Sequence, residues 1–292
     1  MTELPIYSPT RTDSYDRCSL MSYLENDQHW VPRQASKKLV GGAAGTAFHL
    51  AASLLHKGGT VADAVALGVA EFHAELTHYA THGVTFASTI EEIVDASGIA
   101  TVLPKYALNN PFQGWEVLHI EQQLPDAGRC IIDLGGRDSD GVLAVADVKY
   151  KQNLAPRYEQ STIDEYMTSW QFLHYPWGYG EYMKEPCYRM YLCLVVFKPK
   201  FSVRLIPNEV DAEIQQMWLV SARAKWKRMA DPTTQLEIAS RHKDSFGMCA
   251  FYRACFDYKL DEGLMAKDYV KVPRRNAPVE LLKVEEDFGY HE

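Results

Sequence analysis

The sequence lacks the features that mark several large classes of protein. It has no run of 18 or more apolar residues, so no membrane-spanning helix is expected. Its N-terminal stretch, MTELPIYSPTRTDSYDRC, holds no apolar block of the kind a secretory signal needs, and a cytoplasmic location is expected. Cysteine is sparse, with six residues at 18, 130, 187, 193, 249 and 255. In a chain without a secretory signal these scattered cysteines read as reduced thiols rather than a disulfide framework. Positive charge does not dominate: 30 Lys and Arg stand against 38 Asp and Glu, for a net charge of −8. Any contact with nucleic acid must therefore use a local basic surface rather than bulk attraction. No internal repeat or low-complexity stretch occurs.

What remains is ordinary globular composition, 47% hydrophobic and 23% charged over 292 residues, enough to bury a large core. Residues 8–24 open on Ser8-Pro9-Thr10 and predict a capped helix. Lys37 and Lys38 lead into a glycine-rich turn at 41–45, then an Ala/Leu helix over about 43–56. Gly58 and Gly59 break it before a second Ala-rich helix, 61–79, and a short third one, 88–97, with Glu91 and Glu92 in its first turn. The period then changes. Residues 115–124, 129–134 and 142–150 are short apolar runs separated by turn clusters at 125–128 and 135–141, the pattern of an antiparallel meander. Helical spacing returns over 160–175, with Ile163, Tyr166, Met167 and Trp170 on one face. Strands at 188–197 and 201–206, an amphipathic helix over 208–229 and an irregular tail from 231 complete the chain. This order argues an α/β fold with a mixed central β-sheet flanked by helices. The whole chain, 1–292, reads as one domain, with a core at about 38–206 and an extension over 207–292.

Chemistry concentrates in the meander. Asp133 ends the run Cys130-Ile131-Ile132, and Asp147-Val148-Lys149 ends the next strand. Alternate strand residues share a face, so Asp147 and Lys149 point the same way, and a short connection brings Asp133 beside them. Converging carboxylates are costly unless neutralised, and a hard divalent cation such as Mg²⁺ does this. A strand-end salt bridge between Asp147 and Lys149 is the competing reading, because D-x-K alone is a weak pattern. His49 follows Gly45 in a helix of small residues, where a packed core histidine is the alternative. Glu121 lies in the strand before Asp133, and Gln171 and Tyr175 sit four apart in the helix after the meander.

In this order the residues resemble the RecB-type, phage-type exonuclease branch of the PD-(D/E)xK nuclease superfamily. The matching positions are Ser8-Pro9-Thr10 with Cys18, Gly45 with His49, Glu121, Asp133, Asp147 with Lys149, and Gln171 with Tyr175, over roughly residues 7–206. The resemblance implies a restriction-endonuclease-like core. It implies that His49, Asp133 and Asp147, with the Val148 carbonyl, bind Mg²⁺ or Mn²⁺. Lys149 is then the catalytic lysine, Gln171 and Tyr175 support it or contact DNA, and Glu121 stands outside the ligand set. Many members also hold a [4Fe–4S] cluster. Here Cys18, Cys249 and Cys255 supply three of the four thiolates required, and Tyr252 stands where another is needed, so no cluster is expected. The three cysteines are read instead as a clasp between the chain's ends. Gly128 lies five residues before Asp133, farther than the family pattern has it.

Three basic groups are candidate DNA contacts: Lys149, Lys151 and Arg157 beside the site; Arg223, Lys225, Lys227 and Arg228 around Trp226; and Lys271, Arg274 and Arg275. Trp177, in the aromatic stretch 175–182, is a candidate for stacking on unpaired bases or for packing under a loop. His78 and His82 are one helical turn apart but lack a zincin's H-E-x-x-H order, and the glycines at 41–45 lack the Gly-Lys-Ser/Thr ending of a P-loop. Cys187 and Cys193 read as core residues. The resulting expectation is a metal-dependent deoxyribonuclease of recombination, replication or repair, by the resemblance an exonuclease similar to those of bacteriophages, acting on single-stranded DNA or duplex ends. An oligomer or a recombination partner is compatible with it, and a membrane is not. The rivals are a non-catalytic DNA-binding or scaffolding protein that kept the fold, and an unrelated enzyme whose D-x-K is accidental.

Overall fold

A computed structural model describes residues 8–124, 130–230, 243–244 and 247–275. The chain opens on α1 (Pro9–Arg17), where the Ser8 hydroxyl accepts the Arg11 amide. The helix does not continue to Leu24 as expected. Cys18 is extended, and its sulfur caps a new turn, α2 (Ser19–Ser22), which runs into a π-helical turn over 23–27. After β1 (Trp30–Pro32), α3 (Lys37–His56) starts on a Ser36 cap, so the glycines at 41, 42 and 45 lie inside a helix rather than in a turn. The buried face of Ala43, Ala44, Ala47, Phe48, Ala51 and Ala52 outweighs the roughly 1 kcal/mol that each interior glycine costs. By length and composition alone α3 is apolar enough to cross a membrane, contrary to expectation; here that apolar face packs on α4 (Val61–Thr81) and the sheet. Helix α5 (Ile90–Ser97) carries a capping box of Thr89 and Glu92. Periodicity does not announce α6 (Ile99–Asn109), because Gly98 and the internal Pro104 both read as breakers.

Strands β2 (Glu116–Leu124), β3 (Cys130–Arg137) and β4 (Leu143–Asn153) form the expected antiparallel meander. Helices α7 (Glu159–Met167) and α8 (Gln171–Met183) carry the chain back to β5 (Arg189–Lys198), which pairs with β4 in parallel, and β6 (Ser202–Glu209) closes the sheet. The result is a mixed five-stranded sheet, β2-β3-β4-β5-β6. Helices α3, α4 and α6 pack on one face and α7 and α8 on the other. β5 alternates accordingly: Cys193 and Val195 join the first layer, Leu192 and Leu194 the second.

Three boundaries differ from expectation. Gly135 and Gly136 continue β3 instead of turning. The helix over 160–175 is two helices, and the aromatic stretch 175–182 belongs to the second. The tail is not wholly irregular. After α9 (Ala212–Ala230) the described residues include a short pair, β7 (Lys243–Asp244) with β8 (Gly247–Met248), then α10 (Tyr252–Phe256), α11 (Glu262–Met265) and β9 (Tyr269–Lys271). β9 pairs antiparallel with β1, joining the two ends of the chain. Cys18, Cys249 and Cys255 all border the apolar cluster built there by Leu20, Trp30, Phe251 and Tyr269. The expected turn at 125–128 lies outside the described residues.

Candidate metal centre

The site forms where the sheet forks. The β3–β4 ladder ends at Leu134↔Ala146, whereas β4 stays paired with β5 as far as Asn153. Ile132 and Leu134, two apart on β3, pack into opposite layers, so the strand turns over at Asp133. Leaving the ladder frees backbone groups of β4 that must find partners. The Val148 amide donates to Asp133 Oδ2 at 2.6 Å. Asp133 Oδ1 lies 3.2 Å from Nδ1 of His49 on α3.

Glu121 completes this group. Its neighbours pair regularly, Ile120 with Leu134 and Gln122 with Ile132, but Glu121 itself has φ +52°. A left-handed backbone is uncommon for a non-glycine residue and costs on the order of 1–3 kcal/mol. It brings the carboxylate to the fork. His49, Glu121 and Asp133 each offer a ligand atom, and these atoms lie within 4.8 Å of one another. The triad therefore differs from the expected His49, Asp133 and Asp147 with the Val148 carbonyl: Glu121 is inside it and Asp147 is beside it. The sequence holds no signal for this, because glutamate does not advertise a left-handed conformation.

Asp147 is almost fully buried. Its Oδ1 accepts Lys149 Nζ at 2.7 Å, and its buried Oδ2 has no hydrogen-bond partner among the described residues. The salt bridge and the carboxylate cluster, weighed as alternatives in the sequence, coexist. Charge is distributed unevenly. Burial alone would raise the Asp133 carboxyl, but His49, Lys149 and the Val148 amide hold it below the usual carboxylate range. Burial disfavours charge on His49, yet Asp133 outweighs this and holds the imidazole above its ordinary value. Glu121 is pushed up to about 7 by burial and by Asp133. Asp147 is also raised, by burial first, with Lys149 opposing and Asp133 adding. Buried Cys130 and Cys193 nearby stay protonated because burial pushes both thiols up.

Helix α8 supplies the floor. The Gln171 amide donates to the Tyr175 hydroxyl at 3.0 Å. Burial, with Asp147 and Asp133 adding, pushes the buried Tyr175 well above its ordinary range, so the hydroxyl stays neutral. Lys149 and Lys151 Nζ stand 5.6 and 5.1 Å from the Tyr166 ring centre. Arg157 is exposed and stacks on Tyr158. Two candidate DNA contacts have other work. Trp177 is half-buried and packs among His174, Trp218 and Trp226. Lys225 pairs with Asp16 of α1 and sits 4.1 Å over the Trp170 ring. Lys227 and Arg228 remain exposed at the end of α9.

Two carboxylates and an imidazole, with a third carboxylate oxygen buried and unpartnered beside them, suit Mn²⁺ or Mg²⁺. No family model matches the chain, and no curated protein matches it.

Proposed function

We propose that the chain is a divalent-metal-dependent deoxyribonuclease with a restriction-endonuclease-like core, acting on DNA ends in the manner of the RecB-type PD-(D/E)xK enzymes. The observation that carries this reading is the convergence, at one fork in a mixed sheet, of His49, Glu121 and Asp133 with the buried Asp147–Lys149 pair. These residues lie far apart in sequence, and no packing requirement explains three carboxylates gathered there.

His49, Glu121 and Asp133 would hold Mg²⁺ or Mn²⁺, with Asp147 adjoining. Such an ion supplies Lewis acidity at a phosphate oxygen and a lowered pKa for an attacking water. The chain's own residues do the rest. Asp147 orients the Lys149 ammonium, which positions the water and offsets charge; as the water oxygen bonds to phosphorus its proton would pass to solvent, the ester P–O bond breaks, and the leaving oxygen would take a proton from solvent. Gln171 fixes the Tyr175 hydroxyl beneath the carboxylates. Lys151 and Arg157 lie toward the approaching backbone.

The test is cleavage of end-labelled linear and closed circular DNA with Mg²⁺, Mn²⁺ or EDTA, using wild type, Lys149→Ala, Asp133→Ala and Glu121→Ala. We expect metal-dependent loss of linear DNA and sparing of circles. The variants should fall at least ~100-fold, as removal of one charge-stabilising group does elsewhere. Wild type that binds DNA but cleaves none under any metal makes the protein a non-catalytic binder. Wild type that neither binds nor cleaves DNA overturns the nuclease reading.

A further inference from the structure

Helix α9 carries a second surface, of which the nuclease reading uses only the basic end. Trp218, Leu219, Ala222 and Trp226 face inward on α8, and the side opposite them is not polar throughout. Met217 is 70% exposed and Val220 71%. With Glu213, Ala224 and Lys227, all exposed, they form the line Glu213, Met217, Val220, Ala224, Lys227. The steps are four, three, four and three residues, the spacing of a two-helix seam. Glu213 and Lys227 make no ion pair among the described residues, and no described segment covers the line.

The line is self-complementary when one copy is reversed against another. Setting Val220 on a twofold axis lays Glu213 against the second copy's Lys227, and Met217, a large side chain, against Ala224, a small one. Both pairs occur twice. A parallel arrangement would set like charge on like charge. We propose that α9 is an interface between two copies of this chain, an antiparallel helix pair centred on Val220. The ends select the partner. Asp211 adds to the acidic end and Arg223 to the basic end, and all four groups are exposed. A nucleic-acid backbone fits this line poorly, since the acidic end repels phosphate and Met217 and Val220 offer it nothing. One helix face is a small interface, so the association is expected to be reversible and dependent on concentration.

The test uses the full chain in sedimentation velocity over a concentration series. Wild type should shift from monomer mass to dimer mass as concentration rises. Val220→Glu should stay monomeric. Glu213→Lys and Lys227→Glu should each weaken the dimer by about tenfold or more, because each replaces two attractions with two repulsions. Mixing those two single variants should give a heterodimer, and the double variant Glu213→Lys/Lys227→Glu should dimerise with itself. These substitutions are on the surface, and circular dichroism and unchanged melting temperatures check that the fold survives. A monomer at every concentration overturns the proposal. So does a dimer indifferent to Val220→Glu, which would have its interface elsewhere. Charge variants that alter DNA retention without altering mass would assign the face to nucleic acid instead.

Discussion

A glutamate held in a left-handed conformation inside a strand costs free energy that its surroundings must offset. Glu121 adds a second cost, because its carboxylate faces Asp133 in a partly buried site and its pKa is pushed up to about 7 from an ordinary 4.5. A raised folded pKa means that the folded state holds the proton more tightly. The contribution is full below the unfolded value and is lost as pH rises through the folded one. Asp147 and His49 are raised too and share that direction; Asp133 is lowered and acts the other way, in acid, below its ordinary 3.8. The metal-free protein should therefore be most stable near pH 5 and lose stability towards pH 8, by on the order of 3 kcal/mol for Glu121 alone. Mn²⁺ should restore what is lost, since the ligands must be deprotonated to bind it and binding stabilises by mass action. Glu121→Gln should flatten the profile in EDTA. Melting temperatures from pH 5 to 8, with EDTA and with Mn²⁺, measure this. A flat or rising profile in EDTA would sink the account. At this scale Asp133, Asp147 and Lys149 were legible, because strand alternation alone puts two of them on one face. Glu121 was legible as a motif position but not as a ligand, since its place depends on a backbone angle.

Elements are where equal residues take opposite meanings. Gly41 and Gly136 look alike in sequence, and turn propensity reads both as loop. Gly41 lies inside α3, where an added Cβ meets nothing within 4 Å. Gly136 lies in β3, where an added Cβ would stand 2.1 Å from the Glu116 carbonyl oxygen of β2. Helix α3 thus tolerates its glycines, whereas the β2–β3 pairing requires this one. Gly41→Ala should stabilise the protein by roughly 0.5–1 kcal/mol, the difference in helix propensity. Gly136→Ala should destabilise it by about 2–4 kcal/mol, because two paired backbones must separate. The same shift displaces β2, the strand that delivers Glu121, so metal-dependent stabilisation should weaken as well. Urea denaturation of the two variants decides the matter; equal signs would show that the helix or the strand is wrongly assigned. The meander itself was readable because its strands are apolar runs of the right length between turn residues. The extra residues of β3 were not, because what forbids a side chain there is a neighbouring strand.

Across the whole molecule, the joining of the ends was the least readable feature. β1 and β9 are three residues each, too short to show a period, and the cysteines suggested a clasp without showing what else it contains. The clasp is mostly apolar and polar contact rather than thiol chemistry. Arg33 Nε donates to the Ala266 carbonyl at 3.0 Å, and His78 Nε2 lies 2.8 Å from the Pro273 carbonyl. Arg275 ends the described chain by reaching α4. Its guanidinium donates to both oxygens of Glu71, at 2.7 and 3.0 Å, and to Glu75 at 3.4 Å. Glu71 is only 6% exposed, so this pair holds a carboxylate that water does not solvate. Removing the arginine alone strands that charge, whereas removing both charges leaves a neutral contact. Arg275→Ala should cost about 3–5 kcal/mol, while Arg275→Met with Glu71→Leu should recover most of it. If Arg275→Ala costs under about 1 kcal/mol, the end of the chain is only resting on α4. If it costs the larger amount and the double variant recovers it, the C-terminal segment is a fixed part of the helical layer that carries His49. Its loss should then lower metal affinity at a site it never touches.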